Sequence, residues 1–143
     1  MKISHTILLF VIITLTACSG SKELSLDKKP LLAIENPQWF KVMPGQPDGK
    51  KFSVLILPVA VVLESYKPDS VYFQGYHEAL QYSVYQDKPV YRAQFFEGTE
   101  RPEIKPPYAI EKDQALMSYY TADSLKRYIR VTEIVQGEPV FMP

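Results

Sequence analysis

Apolar residues occur along this chain in two patterns: unbroken runs, and short alternating stretches cut by proline. One run, residues 7–15, lies close to the start and is followed by Thr16, Ala17 and Cys18. A second, residues 52–63, is the most apolar stretch downstream of it. Its β-branched content predicts a strand buried on both faces and central to the core. Pro58 has no N–H to give to a sheet ladder, which predicts a bulge, an edge or a joint between two short strands there. Residues 90–96 read as a further strand. Residues 126–135 alternate, with Ile129, Val131, Glu133 and Val135 on one face and Tyr128, Arg130, Thr132 and Ile134 on the other. Gln136-Gly137-Glu138-Pro139 then predicts a turn that returns residues 140–142 as a hairpin partner.

Two segments carry helical spacing. Residues 71–86 fit both periods. At period two, Tyr72, Tyr76, Leu80, Tyr82 and Val84 share a face broken by Glu78; at helical spacing, Tyr72, Tyr76, Ala79, Leu80 and Ser83 form a stripe. The run His77-Glu78-Ala79-Leu80-Gln81 favours a helix over 75–85, while the surrounding Tyr and Val favour a strand. Residues 111–120 have acids in the first turn and Leu116 four positions before Tyr120, which predicts a second short helix. Asn36 and Pro37 suit the cap and first position of a helical turn. The expected fold class is α+β: a small antiparallel sheet with one or two short helices.

The first run changes the picture, because it is an address. Met1 and Lys2 give a positive start, and residues 7–15 are too short for a hydrocarbon core of about 30 Å, which needs roughly 20 residues. The segment reads as an export signal. Leu15-Thr16-Ala17-Cys18 resembles the lipobox of bacterial lipoproteins: an aliphatic residue, a small one, Ala, then Cys. The resemblance covers residues 1–19. It implies cleavage before Cys18, a diacylglycerol on the Cys18 sulfur, and acylation of the new amino group with a chain such as palmitate. Each buried methylene contributes about 0.8 kcal/mol, so two or three chains make the attachment effectively permanent. Ser19 follows the cysteine, not Asp. In Gram-negative lipoproteins that implies the outer membrane, with the chain anchored there and facing the periplasm. The other reading is an ordinary secretory signal cut near Ala17 or Ser19, leaving a free thiol.

Domain organisation follows: residues 1–17 as signal peptide, 18–30 as lipidated cysteine and flexible tether, and 31–143 as one globular domain. A domain of that size buries about two-thirds of its unfolded surface and folds without staples. Basic and acidic residues balance at 16 each, so charge argues for neither nucleic acid nor a charged lipid surface. The membrane is reached through the acyl chains. Tyr at 10 and Pro at 12 against 6 Gly favour strands and short segments over long helices.

Candidate chemistry is sparse. Downstream of the signal the one histidine is His77, beside Glu78; this is not HExxH, and no second His or thiol completes a zinc site. No GxSxG or SxxK frame, calcium loop or phosphate cradle occurs. No catalytic residue, cofactor or metal is expected. Trp39 reads as a core anchor. Aromatic residues crowd between residues 72 and 96, and Tyr, with an apolar body and a polar tip, suits protein interfaces and glycan stacking. The candidate binding residues are Tyr72, Tyr76, Tyr82, Tyr85 and Tyr91. The expectation is a non-catalytic, lipid-anchored envelope protein that binds another envelope protein as an assembly or accessory subunit. The alternatives are a periplasmic immunity-type inhibitor of a toxin, or a module that binds or cleaves cell-wall glycan.

Overall fold

The computed structural model describes residues 25–28, 32–98 and 104–143; the signal segment and Cys18 lie outside them. After an edge strand β1 (Ser25–Leu26), four antiparallel hairpins follow. They pair β2 (Gln38–Met43) with β3 (Phe52–Pro58), β4 (Lys67–Phe73) with β5 (Tyr76–Ala79), β6 (Gln81–Tyr85) with β7 (Lys88–Phe96), and β8 (Ala115–Tyr120) with β9 (Lys126–Val131). The hairpins alternate between two sheets. Sheet one has the order β1-β9-β8-β4-β5. Sheet two has the order β10-β2-β3-β7-β6, where β10 (Val135–Gln136) and β11 (Val140–Phe141) both run parallel to β2 on its outer edge.

No helix occurs among the described residues, and this corrects the α+β expectation to a two-sheet, all-β architecture. Residues 75–85 are β5 and β6, one extended run that leaves sheet one at Leu80 and joins sheet two. Gln74 and Gly75 both adopt positive φ, 48° and 82°, and so close a two-residue hairpin of the twist that strands favour. Gln86 and Asp87 do the same between β6 and β7. Residues 111–120 differ for another reason. Ala115, Met117 and Tyr119 face the other sheet while Leu116 and Ser118 face out, and all five are buried. A strand covered above and below its sheet buries consecutive residues, and a surface helix does not.

Other boundaries shift too. Asn36 takes positive φ and leads into β2 rather than capping a helix. Glu133, also at positive φ, carries the chain from sheet one to sheet two, so the alternating stretch ends at Val131. Residues 140–142 do not form a hairpin with β9: β11 lies against β2. Gly45 makes room for that edge, since a Cβ there would lie 2.5 Å from the Met142 carbonyl oxygen.

The main core lies between the sheets. Leu55, Leu57, Ala93 and Phe95 from sheet two meet Val71, Phe73, Ala115, Met117, Tyr119, Ile129 and Val131 from sheet one. β3 is central, and its continuous apolar run serves both faces. Val54 and Ile56 point outward into a second cluster with Val42 and Val90, over which Phe40, Phe52 and Tyr85 pack. Pro58 ends β3 opposite Val90, and its carbonyl accepts from Glu35 N–H at 2.9 Å. β1 lies within the segment expected as a tether. Asp27 N–H donates to Tyr128 at 2.8 Å, and the Asp27 carboxylate accepts from Arg127 at 3.1 Å and from the Tyr119 hydroxyl. Tyr119 is buried, so that carboxylate meets its need for a polar partner.

Candidate functional site

The densest polar chemistry sits on the outer face of sheet one, and a bulge creates it. β4 pairs with β8 with a register shift between Pro68 and Ser70. Pro68 cannot donate to the ladder, so Asp69 is left as the extra residue. The Asp69 carboxylate then reaches its neighbour's side: it accepts from Ser70 Oγ at 3.0 Å, Ser118 Oγ at 3.0 Å and Lys126 Nζ at 2.9 Å. The two hydroxyls lie 2.8 Å apart, and His77 Nε2 is 2.9 Å from Ser70 Oγ. The ring of Tyr72 stacks on His77 at 4.1 Å.

Each hydroxyl has one proton, and the Asp69 carboxylate accepts from both serines. The direction of the His77 Nε2–Ser70 Oγ bond follows the imidazole tautomer. Both hydroxyls belong to buried residues, Ser70 at 6 % exposure and Ser118 at 0 %. The cluster is arranged as a structural tie between β4, β5, β8 and β9. Burial works to raise the Asp69 carboxyl, but the hydrogen bonds from Lys126, Ser118 and Ser70 and the Lys126 charge outweigh it and hold it below the ordinary carboxylate value. Burial, and then the Lys126 charge, push His77 below its ordinary value against the opposing pull of Asp69. For Lys126, burial lowers and Asp69 raises, and the net shift is upward.

The five candidate tyrosines lie in four different places. Tyr72 is on the outer face of sheet one. Tyr76 packs against the main core, with its ring 5.7 Å from Phe95, and Tyr91 is buried there. Tyr82 is exposed on strand β6, with its ring edge-on to Tyr91 at 5.8 Å. Tyr85 stacks on Phe40 on the outer face of sheet two. Trp39 packs against the core, edge-on to Phe73 at 6.0 Å. Cys18 lies outside the described residues.

Two surfaces were not readable in the sequence. A cleft of about 580 Å³ opens between the sheets, lined by Trp39, Phe73, Tyr76 and Phe95 and rimmed by polar groups. The rim includes Gln74, Lys112, Gln136 and the Lys41–Glu97 ion pair at 3.3 Å. The second surface is the outer edge of sheet two, where Val135, Val140, Phe141 and Met142 are all exposed, Phe141 by 75 %. The hydrophobic run at residues 140–142 was its one signal, and a hairpin reading hid it. Among the described residues no group of three or more His, Cys, Asp or Glu is arranged to hold a metal ion. No family model matches the chain, and neither a curated protein nor a solved structure is significantly similar to it.

Proposed function

We propose that this protein is a non-catalytic, lipid-anchored component of the bacterial outer membrane that binds another envelope protein as an assembly or accessory subunit. The Leu15-Thr16-Ala17-Cys18 box supports the anchor. The burial of the Ser70 and Ser118 hydroxyls, which keeps them from meeting a substrate, supports a binding role. One observation carries the partner: apolar side chains at Val140, Phe141 and Met142 stand in solvent on a fixed edge strand. Contiguous exposed apolar surface of this kind marks protein contact sites.

The test is a photo-crosslinking residue at position 141 in cells, with the same residue at exposed Leu125 as control. A discrete adduct with one envelope protein, formed from position 141 and lost on Val140→Asp, is expected. Identical adducts from position 125 would remove the partner reading. Acyl groups on the mature N-terminus, read by mass spectrometry, test the anchor separately.

The cleft favours a second reading, a glycan-binding module. Trp39 and Tyr76 offer faces for a sugar ring, and Gln74, Gln136 and Glu97 offer hydrogen bonds to hydroxyls. Trp39 is the sole tryptophan, so its fluorescence reports directly on the cleft. No spectral change with soluble peptidoglycan fragments would count against this reading.

A further inference from the structure

Edge strands offer unpaired backbone, and proteins blunt them by shortness, charge, proline or bulges. Three of the four sheet edges among the described residues carry such devices. β1 has two residues and is followed by Asp27 and Lys28. β5 contains His77 and Glu78. The β10–β11 edge is interrupted by Gly137, Glu138 and Pro139. β6, with the sequence Gln-Tyr-Ser-Val-Tyr, has no charge, no proline and no bulge.

The register of the β6–β7 hairpin says which backbone groups β6 offers. Its turn is the two residues Gln86 and Asp87, so Tyr85 and Lys88 form a hydrogen-bonded pair. Alternation then makes Val84–Pro89 and Tyr82–Tyr91 non-hydrogen-bonded pairs. The Pro89 carbonyl confirms the parity, because it accepts from Val59 N–H at 3.1 Å on the far side of β7. The N–H and C=O groups of Tyr82 and Val84 therefore point away from β7. The same two residues have exposed side chains, 58 % and 62 %.

We propose that β6 pairs antiparallel with β6 of a second copy of this chain, with the two-fold axis at Ser83. In that register Tyr82 of each copy faces Val84 of the other. Four backbone hydrogen bonds form, and an aromatic residue pairs with a β-branched one on both sides of the axis. Charge fits self-pairing: an uncharged strand against itself brings no like charges together. Area sets the strength. A strand edge of this length buries less than the roughly 1,200 Å² of a stable interface, so the pair is weak in dilute solution. Tethering both copies to one membrane raises their effective concentration. This last step rests on the anchor proposed above, and the pairing itself does not.

Residues opposite each other in a non-hydrogen-bonded antiparallel pair have Cα atoms about 4.5 Å apart, within the range a disulfide spans. Ser83 faces Ser83 of the second copy in that way. The experiment is oxidative crosslinking of the full-length Ser83→Cys chain in phosphatidylethanolamine–phosphatidylglycerol vesicles and, at high concentration, in detergent. Wild type controls for Cys18, and Gln81→Cys controls for register, since residue 81 faces residue 85. A covalent dimer from Ser83→Cys, at least tenfold above Gln81→Cys, is expected in both settings. Val84→Lys added to Ser83→Cys is expected to lower the yield at least fivefold with an unchanged unfolding midpoint. No dimer in either setting, or equal yields from residues 81 and 83, overturns the pairing. A dimer in detergent with no gain in vesicles overturns only the contribution of the anchor.

Discussion

The outer faces of the two sheets are held by opposite physics. On sheet one, Asp69, Ser70, His77, Ser118 and Lys126 are joined by directional bonds of 2.8 to 3.0 Å. On sheet two, Val42, Val54, Ile56 and Val90 touch without direction beneath Phe40, Phe52 and Tyr85. An apolar cluster loses stability with the volume removed and tolerates swaps that conserve it. A polar cluster loses it with any partner removed, because a buried donor or acceptor is left unmet. The two faces should therefore rank substitutions differently.

Ile56→Ala should show the largest effect, about 2–5 kcal/mol in urea unfolding, while Ile56→Leu should cost less than about 1.5 kcal/mol. Equal losses from both would mean that the outer face of sheet two is shaped by fit and not by volume. Ser118→Ala removes little volume but leaves the buried Ser70 N–H without its acceptor and takes one donor from Asp69, and about 1–3 kcal/mol is expected. A double-mutant cycle with Ser70→Ala should give strong coupling. Additive losses would show that the hydroxyls do not act as one network.

Lys126→Met separates charge from packing on the same face. The Lys126–Asp69 pair is more than a third exposed on the carboxylate side, so its removal should cost no more than about 1 kcal/mol. Its charge also helps to hold His77 down, so the variant should raise the His77 titration midpoint in NMR. An unmoved midpoint would make burial the whole cause.

Two strands of sheet two were readable because they are long, apolar and flanked by Pro, Gly or Asp. β3 and β7 announce themselves through residues 52–58 and 90–96. The hairpin turns were hidden, because Gln74-Gly75 and Gln86-Asp87 are not the Asn-Gly pair that marks positive φ most strongly. Residues 75–85 fit two periods, and only the presence of two sheets decides between them. The Asp69 network was invisible for a different reason. Its members are up to 57 residues apart, and a bulge beside Pro68 brings them together.

Acid should find sheet one first. His77 sits below its ordinary 6.5, by burial and then by the Lys126 charge against Asp69. The unfolded chain therefore takes up that proton before the folded chain does. Stability from this residue is complete above about pH 6.5 and falls as pH drops from there towards the folded value. Asp69 sits below its ordinary 3.8, because the bonds from Lys126, Ser118 and Ser70 outweigh its burial. The unfolded chain again binds the proton first, so a second loss begins below about pH 3.8. The Val42–Val54–Ile56–Val90 cluster has no group that titrates in either window. Urea unfolding of His77→Gln should lose the first decline, between about pH 7.5 and 5, and keep the second, below about pH 3.8. If the variant declines as steeply as wild type over that range, the acid sensitivity belongs to another group, and the contrast between the faces is one of geometry alone.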